Sequence, residues 1–255
     1  MMEMLSLVVA VLGGILLAQA VSIGEPNMTL LAPTDSVTFY ITPNNSSSPE
    51  CPSASDHCIT LDNFAKNELP RIKSDTIALI FLKGIHNSTV PINFVNVQQL
   101  IVCGNVNSSG SMYSRQTELP LIQLLSGNMS ITSAYESPLK LEIKHLVING
   151  SGQHTLIVDT TTSPALESGG DISMNQVKLL NVVLQIRNGL ICSTVNITNA
   201  TFLASMVEIY GCMFNGQTKI TKSTFQSGRQ PCTIAVCPTQ SNIESGIVNL
   251  SLIHI

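Results

Sequence analysis

Residues 195–225 read VNITNATFLASMVEIYGCMFNGQTKITKSTF, and the segment nearly repeats itself after 23 residues. Ile197, Ala200 and Phe202 return as Ile220, Ser223 and Phe225, and Val195 returns as Thr218. The polar pair between them returns too, Thr198 and Asn199 becoming Thr221 and Lys222. Working upstream, the same apolar spacing occurs at Met174, Val177 and Leu179, at Ile143, Leu146 and Ile148, and at Val97, Leu100 and Val102. The steps between these copies are 46, 31, 23 and 23 residues, and 46 is twice 23. A short-strand unit of this length cannot bury its own apolar face, so it must stack on its neighbours.

Side chains alternate across a strand. Val195 and Ile197 therefore point one way and Asn196 the other, as do Leu141 and Ile143 about Glu142, and Ile172 and Met174 about Ser173. The two polar residues that follow (Lys144 and His145, Asn175 and Gln176, Thr198 and Asn199, Thr221 and Lys222) turn a corner before the apolar alternation resumes. Short strands, sharp corners and a recurring period predict a parallel β-helix. A leucine-rich repeat needs a stricter Leu framework, and a propeller blade is roughly twice as long. A β-sandwich also supplies many short strands, but does not explain why Val195–Phe202 matches Thr218–Phe225.

The chain opens on a secretion signal in outline. Residues 5–18, LSLVVAVLGGILLA, are apolar, and Ala18-Gln19-Ala20 offers a cleavage site, although MMEM lacks the usual Lys or Arg. Residues 1–20 are read as signal peptide, 21–50 as an exposed extended segment, 51–74 as a cysteine-bearing N-terminal cap and 75–255 as the β-helix. Within the cap, a short helix is expected from Leu61 to Asn67, stopped by Pro70. Residues 119–133 read as a further short coil.

Only 11% of the residues are charged, with net charge -4 and no basic block, which excludes nucleic acid as a partner and leaves the surface to Asn, Ser and Thr. Ten Asn-x-Ser/Thr sequons occur, at Asn27, Asn44, Asn45, Asn87, Asn107, Asn128, Asn149, Asn196, Asn199 and Asn249. Behind a signal peptide they predict a glycosylated, secreted or cell-surface protein. The seven cysteines should then mostly pair. Cys51 with Cys58, Cys232 with Cys237, and Cys192 with Cys212 are the candidates, leaving Cys103. No CxxC pair exists and the five His are scattered, so no metal or other cofactor is expected.

The segments CPSASDHCITLDNFAKN, TIALIFLKGIHNST and INFVNVQQLIVCGN resemble the opening of secreted, right-handed parallel β-helix proteins of the pectin-lyase-like type, and most closely large uncharacterised ones from sponges and other simple marine animals. The resemblance covers residues 51–255. It implies an all-β, single-stranded, right-handed parallel β-helix whose coils continue beyond Ile255.

Some relatives of that fold cleave polysaccharides, a chemistry with definite sequence requirements. Hydrolysis needs two placed carboxylates. Polygalacturonase-like enzymes carry Asn-Thr-Asp, Asp-Asp, Gly-His-Gly and Arg-Ile-Lys in order, whereas this chain has only Arg71-Ile72-Lys73, ahead of every coil. The six aspartates are dispersed, GxSxG is absent, and Trp is absent with only four Tyr to stack on sugars. His145 on a corner and His154 after a turn read as surface residues. The expectation is therefore a non-enzymatic extracellular glycoprotein scaffold for adhesion, matrix or surface display, with an unknown extracellular protein or glycan as partner. It would touch a membrane only through an uncleaved N-terminal segment or a C-terminal anchor. The alternative is a pectin-lyase-like carbohydrate-active enzyme acting on extracellular polysaccharide, its site unusual or beyond this segment of chain; residues 151–171, with Asp159, Glu167 and Asp171, are the one stretch that could supply carboxylates.

Overall fold

The computed structural model describes residues 36–44, 57–105, 119–133, 138–160, 170–187, 194–210, 217–226, 233–237 and 247–253. Its strands are β1 (Ser36–Thr42), β2 (His57–Thr60), β3 (Thr76–Phe81), β4 (Ile85–Ser88), β5 (Ile92–Val97), β6 (Gln99–Gly104), β7 (Leu121–Leu124), β8 (Met129–Ser133) and β9 (Lys140–Asn149). There follow β10 (Thr155–Asp159), β11 (Asp171–Leu180), β12 (Val183–Arg187), β13 (Thr194–Thr198), β14 (Thr201–Leu203), β15 (Met206–Tyr210), β16 (Gln217–Gln226), β17 (Thr233–Cys237) and β18 (Ile247–Ile253).

Every pairing among these strands is parallel. A 12-stranded sheet runs in sequential order along β3, β6, β9, β11, β13 and β16, with β1 and β2 beyond β3; β4, β7 and β14 extend it alongside. A 6-stranded sheet runs β5-β8-β10-β12-β15-β17. Each turn of the chain thus leaves one strand or strand pair in the larger sheet and one strand in the smaller. This is an all-β, solenoid-like ladder.

The ladder follows the spacing of the apolar residues. Ile143, Met174, Ile197 and Ile220 stand side by side in adjacent strands, all buried. Leu141, Ile172, Val195 and Thr218 form the parallel row one step earlier. Beyond the corner, Ile148, Leu179, Phe202 and Phe225 form another, and the last two rings stack with centroids 4.4 Å apart. Each fully buried aliphatic side chain contributes about 1.5–3 kcal/mol.

Ser223 interrupts this apolar order for a specific reason. It is buried, its Oγ accepts from the Ala200 N–H at 3.2 Å and donates to the Thr221 carbonyl at 2.9 Å. Ser205 does the same at the next corner, accepting from Val182 N–H and lying in reach of the Leu179 and Leu203 carbonyls. Buried hydroxyls here satisfy backbone groups that the corners take out of the ladder.

The corners have a fixed conformation. The second residue of each polar pair has positive φ: His145 (56°), Gln176 (54°), Asn199 (53°) and Lys222 (50°). Asn181 and Ala204 repeat this, at 50° and 47°, where the chain passes to the 6-stranded sheet. Left-handed backbone costs a non-glycine residue about 1–2 kcal/mol, least for Asn. Ala204 has no side-chain hydrogen bond to offset that cost. Ala204→Gly is expected to raise unfolding stability by about 1 kcal/mol, read as a higher urea midpoint with an unchanged slope.

Two expected registers are corrected. Leu100 pairs with Leu141 and Val102 with Ile143, so Val97, Leu100 and Val102 do not match Ile143, Leu146 and Ile148. Val97 instead closes β5 in the other sheet, after a corner at Asn96 (φ 60°). A corner followed by apolar alternation occurs at several points of a coil, so local spacing alone cannot say which corner it is. Nor do residues 119–133 begin a coil: β7 and β8 are the second and third strands of the coil that β6 opens.

At the β2 end of the ladder, residues Leu61–Asn63, Phe64–Glu68 and Leu69–Arg71 form successive α, π and 3₁₀ turns. Thr60 caps the first, its Oγ1 accepting from Asn63 N–H at 3.4 Å. Pro70 does not stop the segment at Asn67; it lies at the start of the last turn, where a missing N–H costs no helical hydrogen bond. Phe64 is buried between Phe39 of β1 (centroids 5.0 Å) and Phe94 of β5 (6.2 Å). Within residues 21–50, read as exposed, Ser36–Thr42 is a paired strand with Phe39 and Ile41 buried, because its apolar residues alternate like those of the coils. The signal segment, Asn27, Asn45, Cys51, Asn107, Cys192, Cys212 and Cys232 lie outside the described residues.

Candidate functional site

The ladder presents outward side chains in rows about 4.8 Å apart. On the larger sheet, Glu142, Ser173, Asn196 and Lys219 form one such row, as the repeat predicts. Lys144 Nζ meets Glu142 Oε1 at 2.9 Å, with both side chains over a third exposed. At the corner beside this row, Asn199 Nδ2 donates to Asn175 Oδ1 at 3.2 Å, and the Thr198 and Thr221 hydroxyls lie 3.5 Å apart. Asp171 begins β11 on this sheet, whereas Asp159 ends β10 on the other. The two aspartates of the segment singled out for catalysis are therefore not brought together in one sheet; Glu167 lies outside the described residues.

The 6-stranded sheet carries an outward cluster of charges and amides. Gln185 of β12 pairs in register with Glu208 of β15, and Asp159 with Arg187. Gln185 Nε2 donates to Glu208 Oε2 at 2.7 Å, Arg187 Nη2 donates to Gln185 Oε1 at 3.2 Å, and Arg187 Nη1 lies 3.9 Å from Asp159 Oδ2. Farther along the sheet, Ser130 Oγ donates to Asn93 Oδ1 at 2.7 Å. Sequence reading missed this cluster, although Leu184, Gln185 and Ile186 return as Val207, Glu208 and Ile209 at the same 23-residue step.

Two carboxylates cleave a glycosidic bond when substrate or water fits between them, with separations of about 5–9.5 Å. Between Asp159 and Glu208 stand a guanidinium and an amide that already bind them. The arrangement is a line of surface contacts, each contributing about 0–1 kcal/mol.

Other chemistry-bearing groups are dispersed. Cys103, a free thiol, points outward between Ile80 and Lys144. Burial pushes its pKa up by more than the neighbouring Lys144 lowers it, and Glu142 adds a smaller rise. It is therefore held as thiol, not the reactive thiolate. Cys58 is disulfide-bonded. His145 and His154 stand on separate turns, half-buried. A groove of about 580 Å³ lies between the helical segment and β5, lined in part by Leu69, Lys73, Asp75, Pro91, Asn93 and Val95. Lys73 and Asp75 are its charged lining residues, and Ser74 between them has its hydroxyl bound to the Thr76 backbone, donating to the carbonyl at 2.9 Å and accepting from the N–H at 3.3 Å. Among the described residues no three His, Cys, Asp or Glu side chains are grouped to hold a metal ion. No helix among them is long and apolar enough to cross a membrane.

The sequon asparagines with described side chains lie on outward or corner positions. Asn44, Asn128, Asn196 and Asn199 are exposed; Asn87 and Asn149 are half-buried. Several use the amide oxygen and leave the nitrogen to solvent or neighbours. Asn128 Oδ1 accepts from Thr155 N–H at 2.9 Å, Asn44 Oδ1 from Asn87 N–H at 2.7 Å, and Asn196 Oδ1 from its own sequon hydroxyl, Thr198 Oγ1, at 3.1 Å. No protein-family model, curated protein or solved structure matches the chain.

Proposed function

We propose that this chain is a right-handed, single-stranded parallel β-helix of the pectin-lyase-like type, closed at its first coil by the cysteine-bearing segment. In this reading it serves as a non-enzymatic, N-glycosylated extracellular scaffold in adhesion, matrix or surface display, and its partner is an extracellular protein or glycan. The observation that carries the reading is the outward surface itself. Its polar side chains bind one another along the strands, and four of its sequon asparagines are exposed. Glycans there would cover a surface poor in charge and keep it soluble.

Expression in a eukaryotic secretory system tests it. The chain should lose its first twenty residues, reach the medium and lose mass on enzymatic removal of N-glycans. An intact N-terminus with no mass change would reject both the secretion and the glycoprotein readings. A second reading, a carbohydrate-active enzyme, draws on Asp159 and Glu208 facing outward from one sheet. Reducing-end and unsaturated-product assays on acidic polysaccharides separate the two. Turnover that is lost in both Asp159→Asn and Glu208→Gln would replace the scaffold reading.

A further inference from the structure

His86 is a fully buried histidine among the described residues, and its environment is unbalanced. It lies on β4, in register with Ile122 of β7, with its ring edge-on to Phe81 at 5.0 Å. Nε2 is 2.7 Å from the Leu82 carbonyl. A carbonyl only accepts, so Nε2 carries the proton in the neutral ring. Nδ1 is then a lone pair, buried with no hydrogen-bond partner. A buried acceptor left unsatisfied is a defect that a folded chain rarely keeps.

Protonation acts on this ring in two opposed ways. The carbonyls of Leu82 and Thr42 favour the charged imidazolium, and burial disfavours it; burial is the larger effect and lowers the pKa below the ordinary histidine range. Among the described residues no carboxylate contributes to its shift. Around the ring stand Phe81 of β3, Ile122 of β7 in register, and the Thr42 backbone of β1; Ile41, Leu79 and Leu124 on the same strands are buried. Lys83, on the preceding corner, is exposed. On the helical segment, Asp62 is committed to Thr89, accepting from its N–H at 2.7 Å and its Oγ1 at 2.6 Å. His145 and His154 belong to the coil of β9 and β10.

The position within the ladder gives this defect a consequence. Among the described strands, β3, β4 and β5 make up the first coil, β1 and β2 alone lie beyond it in the larger sheet, and β5 is the outer strand of the smaller. In a stacked ladder each coil contacts its neighbours alone, so a terminal coil can open without the rest. We propose that His86 makes the first coil a proton-sensitive element, which opens on mild acidification while the following coils stay folded.

The sign follows from linkage. The folded ring has the lower pKa, so the opened coil binds the extra proton. Stability is complete above the ordinary histidine pKa. It falls as pH drops below that value, and the fall ends below the folded pKa. Over that window the opened fraction rises about tenfold per pH unit.

Hydrogen exchange of the full chain from pH 7.5 to 5, corrected for intrinsic rates, tests this. Amides of β3 and β4 should lose protection about tenfold per unit below about pH 6.5, while those of β11 and β12 keep theirs. In His86→Phe the pH-dependent loss should vanish. The proposal is overturned if wild-type protection does not change, if all coils lose it together, or if His86→Phe keeps the loss. Should His86→Phe fail to fold, imidazole titration by NMR in the wild-type chain decides: a His86 resonance titrating below the ordinary range supports the proposal, and one titrating at or above it rejects it.

Discussion

Ile197→Asp should abolish recovery of folded protein, the largest effect expected of any substitution in the ladder. Ile197 is fully buried and flanked in register by Met174 and Ile220, so the neighbouring strands set apolar side chains on both sides of it. Removing the aliphatic side chain costs about 2–5 kcal/mol, and an unpaired carboxylate adds roughly 3–5 kcal/mol or forces its own protonation. The total approaches the whole stability of an ordinary domain, about 5–15 kcal/mol. Asn196→Asp is the control. It places the same charge one residue away on the exposed face, and should change stability by no more than about 0.5 kcal/mol. Both variants are compared, in a host that adds no N-glycan, by the yield of folded protein and by urea midpoint. If Ile197→Asp folds with a midpoint near that of Asn196→Asp, Ile197 is not part of a closed core.

The rows of the larger sheet were legible because two periods coincide. Alternation within a strand sorts Val195 and Ile197 from Asn196, and the 23-residue step sets each strand beside the next. Where both hold, even the outward row Glu142, Ser173, Asn196 and Lys219 could be written down from sequence. Where chain is inserted between strands, the step no longer counts coils, and the earlier copy at Val97 was therefore placed on the wrong corner.

Local chemistry was a weaker guide. The polar pairs marked the corners, but the left-handed residue is His, Gln, Asn or Lys by turns. Stacking of one corner on the next dictates that backbone, overriding residue preference. Ser223 looked like a fault in an apolar row because its function is to bind backbone groups freed by the corner, which no pattern of hydrophobicity records. His86 gave no signal either. In the polar run Ile85-His86-Asn87-Ser88, alternation does not say which face is inside, and here the buried face is His86 and Ser88. The cluster Asp159, Arg187, Gln185 and Glu208 required the register of the second sheet, which the repeat contained at Gln185 and Glu208 but which the first sheet's pattern overshadowed.

The corners also explain why Gly104→Ala should be among the most damaging of the small changes. Gly104 ends β6, and a Cβ built on it would lie 2.0 Å from the His145 carbonyl oxygen and 2.9 Å from Pro120. That carbonyl is not free to retreat, because His145 is itself the left-handed corner of β9, and β9 is paired to β6 on one side and β11 on the other. The added methyl must push two stacked coils apart or turn a corner out of register, at a cost of ~3 kcal/mol or more. Gly152 supplies the comparison. Its φ is +77° but a Cβ there meets nothing within 4 Å, so Gly152→Ala carries backbone strain alone, about 1–2 kcal/mol. Urea unfolding of the two variants ranks the effects, and hydrogen exchange at β6 and β9 locates the first. Equal losses would mean that backbone strain alone sets the cost. A larger loss for Gly104→Ala, with faster exchange in both strands, would show that the closeness of neighbouring coils, more than glycine's freedom of φ, fixes glycine at that corner.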